Sequence, residues 1–132
     1  MTRQLFNVDS YWKVIVWYDL DFNLLSYVHR DLSSIGFSRK GIKRTFDELG
    51  KHHVKAVTCS NEECYASIVI FKKHTSKKDY INSIVHEAEH VKQAMLSAYR
   101  VEDRGEPPAY TLGYLVMRMY EVFKKFLCNC QM

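Results

Sequence analysis

The feature that most constrains the fold is a long periodic segment in the second half of the chain. Apolar residues recur there at intervals of three or four, which places them on one face of an α-helix. The residues of this face are Tyr80, Ile81, Ile84, Val85, Ala88, Val91, Met95 and Leu96. Ser76 and Asp79 precede the run in the spacing of a capping box, which predicts where the helix begins. A helix with one apolar face must pack that face against a second layer of structure.

The rest of the chain supplies strands and further helices around that segment. The predicted order is strand (11–18), helix (21–35), helix (39–49), strand (53–59), strand (65–71), the periodic helix, and a final helix that begins near Pro107 and Pro108. The four residues between 59 and 64 are predicted to form a turn, so the second and third strands are expected to form a hairpin. This order predicts an α+β fold, with a small antiparallel sheet packed against helices.

Length and composition favour one domain spanning residues 1–132. The net charge of +4 is mild and the basic residues form no continuous stripe, so no nucleic-acid partner is expected. No apolar run approaches the roughly 20 residues of a membrane-spanning helix, and the N-terminal segment has no apolar signal core. These observations predict a cytoplasmic protein without membrane association.

The four cysteines are expected to be free thiols. Cys59 and Cys64 are separated by four residues, and Cys128 and Cys130 by one. Structural zinc sites more often use pairs of cysteines separated by two residues. Free thiols are also the usual state of cysteine in a reducing compartment.

The periodic helix carries the sequence His86-Glu87-Ala88-Glu89-His90. Residues four apart lie on one helix face, so both imidazoles can reach the same metal ion. Glu87 projects about 100° round the helix from His86, where it would touch a metal-bound water rather than the metal. Zinc lowers the pKa of such a water towards about 7, and Glu87 could then accept its proton as general base.

This motif, together with the segment that follows it, resembles a group of known metallopeptidases. The motif followed by the run Gly-Glu-Pro-Pro-Ala-Tyr at residues 105–110 is similar to the gluzincins, the thermolysin and aminopeptidase group. It is also similar to small H-E-x-x-H proteins of phages and mobile elements that carry a Glu-Pro-x-Ala-Tyr segment. The resemblance covers roughly residues 65–115.

The resemblance implies a minimal zincin-like catalytic domain with one Zn²⁺ cofactor. Its metal ligands would be His86, His90 and Glu106, with Glu87 as catalytic base. It further implies that residues 65–71 form the edge strand that binds the substrate.

Chain geometry by itself leaves the third zinc ligand open among the downstream carboxylates. These are Glu102, Asp103, Glu106 and Glu121. If the periodic helix continues to Arg100, it ends about 15 Å beyond His90, and a tight hairpin would bring Glu121 alongside His86. The six steps from Arg100 to Glu106 span about 20 Å when extended, which is enough to return Glu106 to the metal. Glu106 is therefore favoured, and Glu121 is the alternative.

Tyr110 is a second candidate catalytic residue. It follows Glu106 by four residues on the same helix face, so its hydroxyl could donate to the oxyanion of a tetrahedral intermediate. A tyrosine at helical spacing also fits a place in the core, and this alternative stays open.

Three functions remain in competition. The first is a zinc metallopeptidase that acts on a peptide or protein substrate, with Glu87 as general base. The second is a catalytically inactive, zincin-like metal-binding module that acts in phage or mobile-element assembly or in protein binding. The third is a structural protein without metal. A deep groove along residues 65–71 that ends at the zinc would favour the peptidase, whereas a covered or flat site would favour the module.

Overall fold

The computed structural model describes residues 1–126, which form a four-stranded sheet between two layers of helices. The strands are β1 (Thr2–Asn7), β2 (Lys13–Tyr18), β3 (Ala56–Asn61) and β4 (Ala66–Phe71). The helices are α1 (Leu25–Ser34), α2 (Arg39–Leu49), α3 (Lys77–Tyr99) and α4 (Glu106–Phe123). Short 3₁₀ turns lie at Phe22–Leu24 and Glu62–Cys64.

The strands lie in the order β1-β2-β4-β3. The outer pairs, β1 with β2 and β3 with β4, are antiparallel, whereas β2 and β4 are parallel. The predicted α+β class is confirmed, but the sheet is mixed rather than wholly antiparallel. The physical reason is the long connection through α1, α2 and β3, which returns the chain to the same end of the sheet before β4 begins.

The two central strands carry the core on both of their faces, which explains why nearly all their side chains are apolar. One face packs against α3 and α4 and includes Val14, Val16, Tyr18, Val69 and Phe71. The opposite face packs against α1 and α2 and includes Ile15, Trp17, Ile68 and Ile70. The alternation of side chains along a strand therefore divides the core into two clusters.

The helix ends follow the signals in the sequence. The Ser38 hydroxyl accepts a hydrogen bond from the Gly41 N–H, and the Ser76 hydroxyl accepts one from the Asp79 N–H, both at 3.1 Å. The predicted starts of α2 and α3 are thus confirmed. Gly105, at a φ of +83°, is the N-cap residue of α4, and that helix has two prolines in its first turn. In the described part of the chain, no helix combines the length and the apolar character needed to cross a membrane.

Two expectations about strands are corrected. Strand β1 was not predicted, because its mixed sequence has only Gln4 and Phe6 buried and resembles a polar terminus. The predicted edge strand at residues 65–71 is wrong, because β4 is paired on both sides and β3 is the edge strand. The more apolar strand of the hairpin takes the interior position, where both of its faces are covered.

Of the four cysteines, two lie in the described residues. Cys59 is buried and Cys64 is exposed, and both are free, as predicted. Burial raises the pKa of the Cys59 thiol. The prediction for Cys128 and Cys130 falls outside the described residues.

Candidate functional site

A groove runs between the edge strand β3 and helix α3. It consists of two adjoining pockets of about 540 Å³ and about 350 Å³, and both are lined by Ala56, Val57, His86 and Glu87. Because the two pockets share His86 and Glu87, the His-Glu-x-x-His segment lies at the middle of the groove. Open groove therefore extends along β3 on either side of the motif.

The two histidines of the motif present their Nε2 atoms to each other at the groove. His90 Nε2 lies 3.2 Å from His86 Nε2, and the ring planes are nearly perpendicular at 79°. Both side chains are exposed, because the helical turn that joins them faces away from the core. Two nitrogens bound to one tetrahedral zinc at 2.0–2.1 Å would be about 3.3 Å apart. The observed separation is close to that value, and in this structure the two Nε2 atoms lie within hydrogen-bond distance of each other.

Glu87 lies beside this pair but differs from it in burial. It is 5% exposed, and its Oε1 atom accepts a hydrogen bond of 2.9 Å from the Thr58 hydroxyl. Its other oxygen, Oε2, lies 3.9 Å from His86 Nε2. Burial of a carboxylate is costly unless a donor compensates, and Thr58 supplies that donor. One oxygen of Glu87 is thus held against the strand, while the other lies towards the histidine pair.

Thr58 was not predicted as a site residue, and it also lies where β3 offers free backbone groups. The Lys72 N–H donates to the Lys55 carbonyl across the hairpin at 2.9 Å. Because hydrogen-bonded residues alternate in an antiparallel pair, this bond places the N–H and C=O of residues 56, 58 and 60 on the outer side of β3. A period of two could have shown that Thr58 shares a face with Ser60, but nothing in the sequence indicated that this face meets Glu87.

The downstream carboxylates differ in whether they already form an ion pair with a lysine or arginine. Three of the four candidates for the third ligand form ion pairs, namely Glu102 with Arg104 at 2.8 Å, Asp103 with Lys92 at 3.0 Å and Glu121 with Arg118 at 3.7 Å. Glu106 takes part in none of the ion pairs found within residues 1–126. Its carboxylate, exposed at the first residue of α4, is therefore the one of the four without a competing cation there.

The connection from α3 to α4 runs back along α3 towards the motif. Lys92 Nζ bonds both Glu89 at 2.7 Å and Asp103 at 3.0 Å, although α3 continues to Tyr99. Glu89 lies about 60° round the helix from His86, on the side opposite to Glu87. The histidine pair therefore has β3 on one flank and this connection on the other. Glu106 follows Asp103 by three residues, so the two residues lie within about 10 Å of each other.

The structure does not assemble the complete set of predicted site residues. Neither Glu106 nor Tyr110 lines the groove, and Tyr110 is 72% exposed. Across residues 1–126, no group of three or more His, Cys, Asp or Glu side chains is arranged to hold a metal ion. His86, His90 and Glu87 are thus together, whereas the third ligand and the oxyanion donor stay predictions.

Glu121, the alternative ligand, is held near the other edge of the sheet. It pairs with Arg118, whose guanidinium lies over the Phe6 ring at 5.0 Å. Phe6 belongs to β1, and the strand order places β1 at the edge farthest from β3. The position of Glu121 therefore favours Glu106 as the ligand.

A hydrogen-bonded histidine, His74, contacts the other half of the groove through Ser83. His74 Nδ1 lies 2.7 Å from the Lys72 carbonyl, and its Nε2 lies 2.8 Å from the Ser83 hydroxyl. Since a carbonyl can only accept, Nδ1 carries the proton, and in the neutral ring Nε2 then accepts a hydrogen bond from the Ser83 hydroxyl. Burial lowers the pKa of His74, which keeps the ring neutral. Ser83 lines the groove, so this pair fixes the loop before α3 against it.

The assignment of this site rests on the residues themselves. No family model matches the chain, and neither a curated protein nor a solved structure matches it. The geometry consists of two adjacent imidazole nitrogens, a buried carboxylate beside them, and an open strand edge along the groove.

Proposed function

We propose that this protein is a zinc-dependent peptidase of the gluzincin-like kind, acting on a peptide laid along β3. The observation that carries the proposal is the 3.2 Å separation of the His86 and His90 Nε2 atoms, next to the buried carboxylate of Glu87. Two imidazoles with an uncommitted carboxylate are a donor set that suits catalytic zinc. Glu106 would complete this set as third ligand.

When bound, a zinc ion supplies Lewis acidity, which polarises a carbonyl and makes water acidic at neutral pH. The chain's own groups do the rest. Glu87 accepts the proton of the attacking water through Oε2, because Oε1 is already held by Thr58. The same carboxylate can then donate that proton to the leaving amine and so act as general acid.

The open edge of β3 supports a peptide as substrate. The backbone groups of residues 56, 58 and 60 point away from β4, so an extended peptide can add to the sheet as a further strand. Such a peptide would pass across His86 and Glu87, since the groove continues on both sides of them. Main-chain hydrogen bonds would hold the scissile bond at the metal. We expect the reaction to take place in the cytoplasm, where the free cysteines would stay reduced.

The decisive experiment separates the metal site from the base. Elemental analysis of the purified protein should give one zinc ion per chain, and a chelator should abolish cleavage of a mixed peptide library. Glu87→Gln should retain zinc and lose activity by about 10² to 10⁴-fold, the usual contribution of a general base. Glu89→Gln is the matched control, because Glu89 faces the opposite flank and bonds Lys92. Persistent cleavage by zinc-loaded Glu87→Gln would show that Glu87 is not the general base.

A catalytically inactive metal-binding module is the second candidate. It is favoured by the exposed position of Tyr110, which lies outside the groove lining. Under this alternative, zinc binds and stabilises the fold, and no peptide in the library is cleaved. The resemblance to phage and mobile-element proteins would then point to assembly or protein binding.

A further inference from the structure

The two halves of the groove differ in charge. In the half that runs towards the end of β3, the carboxylates are those of Glu62 and the buried Glu87, and no lysine or arginine among residues 1–126 lines it. The remaining side chains there, His86 and His90 apart, are small or uncharged: Ala56, Val57, Thr58, Ser60, Gln93 and Ala94. The negative field of Glu62 is therefore unopposed within this half.

Glu62 also forms a hydrogen bond with helix α3. The Ser97 hydroxyl, on α3, donates a hydrogen bond of 3.0 Å to Glu62 Oε1. This bond joins the turn after β3 to the helix and places the exposed carboxylate at the end of the groove. Glu62 belongs to none of the ion pairs found in the described residues. A carboxylate that forms no ion pair can accept charge-assisted hydrogen bonds from a positively charged side chain of a ligand.

The opposite half of the groove has its charges neutralised locally. Lys55 bonds Asp79 at 2.7 Å, and Glu48 bonds Lys51 at 2.8 Å. A charged ligand side chain would have to compete with these pairs. Selection by charge is therefore expected at the Glu62 end and not at the other.

The distance between Glu87 and Glu62 determines which residue of a bound peptide could reach Glu62. Ser60, the last outward-facing residue of β3, is two residues from Thr58, or about 7 Å along a strand. Glu62, two residues after Ser60, is the first residue of the 3₁₀ turn. A lysine or arginine at two or three residues from the scissile bond has a stem long enough to reach that carboxylate.

We infer that Glu62 is a specificity-determining residue that selects peptides with a basic side chain two or three residues from the cleaved bond. This inference rests on the proposed peptidase function. It concerns local charge, because the chain as a whole carries a net charge of +4 and would not by itself attract a basic peptide.

The test uses labelled, blocked octapeptides that are identical except for one Lys, Gln or Glu, placed two or three residues to either side of the central bond. Binding is measured by fluorescence anisotropy on zinc-loaded Glu87→Gln protein, which avoids turnover, and cleavage is measured on the wild type by mass spectrometry. On one side of the bond, the Lys peptide should bind roughly fivefold tighter than the Glu peptide at low salt, and the preference should shrink at 0.5 M salt.

Variants at adjacent glutamates isolate the effect. Glu62→Gln should remove the preference and Glu62→Lys should reverse it, whereas Glu63→Gln, in the same turn but outside the groove lining, should leave it intact. Equal binding of Lys and Glu peptides, or a preference that survives Glu62→Gln, overturns this inference alone. Failure of every peptide to bind or to be cleaved overturns the proposed peptidase as well.

Discussion

The Thr58 hydroxyl on strand β3 donates a 2.9 Å hydrogen bond to Oε1 of Glu87 on helix α3. The side chain of Thr58 thus faces the helix, while its backbone N–H and C=O face the open edge of the sheet. Under the proposed mechanism, the residue that orients the base is therefore also one that binds the substrate's main chain. This links the position of the peptide to the position of the carboxylate.

Replacement of Thr58 by valine keeps the shape of the side chain and removes the hydroxyl. We expect kcat to fall by roughly tenfold, a part of the full contribution of the base, because Glu87 loses its fixed orientation. KM should change little, since the backbone of β3 is retained. Thr58→Ser should restore kcat, and zinc content should be normal in both variants. Unchanged kcat in Thr58→Val would show that Thr58 has no positioning role.

Glutamine substitutions at Glu106 and Glu121 distinguish the two candidate ligands. Glu106→Gln should weaken zinc binding by at least about tenfold, because even loss of an outer-shell partner commonly costs 10- to 100-fold. Glu121→Gln should have no such effect, since Glu121 pairs with Arg118 near β1. Affinity is measured by competition with a fluorescent chelator. The opposite ranking of the two variants would transfer the ligand role to Glu121.

Lys92 ties the connection between α3 and α4 to the motif helix. Lys92→Met leaves Glu89 and Asp103 without their cation, and we expect the free energy of unfolding to fall by about 1–3 kcal/mol. Zinc affinity should fall with it, because the segment that carries Glu106 is released. Urea denaturation measures the first effect. Lys78→Met, at an exposed position of the same helix, should leave both quantities unchanged.

His74 predicts how stability depends on pH. Burial lowers its pKa in the folded protein below the usual 6.5, so the unfolded chain binds the proton first as pH falls. The contribution of His74 to stability is therefore fully present above pH 6.5 and is lost as pH drops from there through the folded pKa. Denaturation midpoints between pH 7.5 and 5 should decline less steeply in His74→Gln, whose amide can replace both hydrogen bonds. Equal slopes would show that other groups control the acid sensitivity.

Much of the fold was accessible from sequence because its signals are local. The apolar spacing of α3, the serine caps of α2 and α3, and the hairpin of β3 and β4 all depend on residues within one turn or one loop of each other. Strand β1 lacked such a signal, because it lies at an edge and buries only alternate residues.

By itself, the sequence determined that His86 and His90 would meet, since residues four apart on a helix must share a face. Only the tertiary structure decided that β3, and not β4, forms the open edge, and that Thr58 faces Glu87. It also decided that Asp103 returns to Lys92 while Glu121 lies towards β1. These relationships join residues distant in the chain, and they depend on which faces of the sheet and helices pack together, which no local spacing encodes.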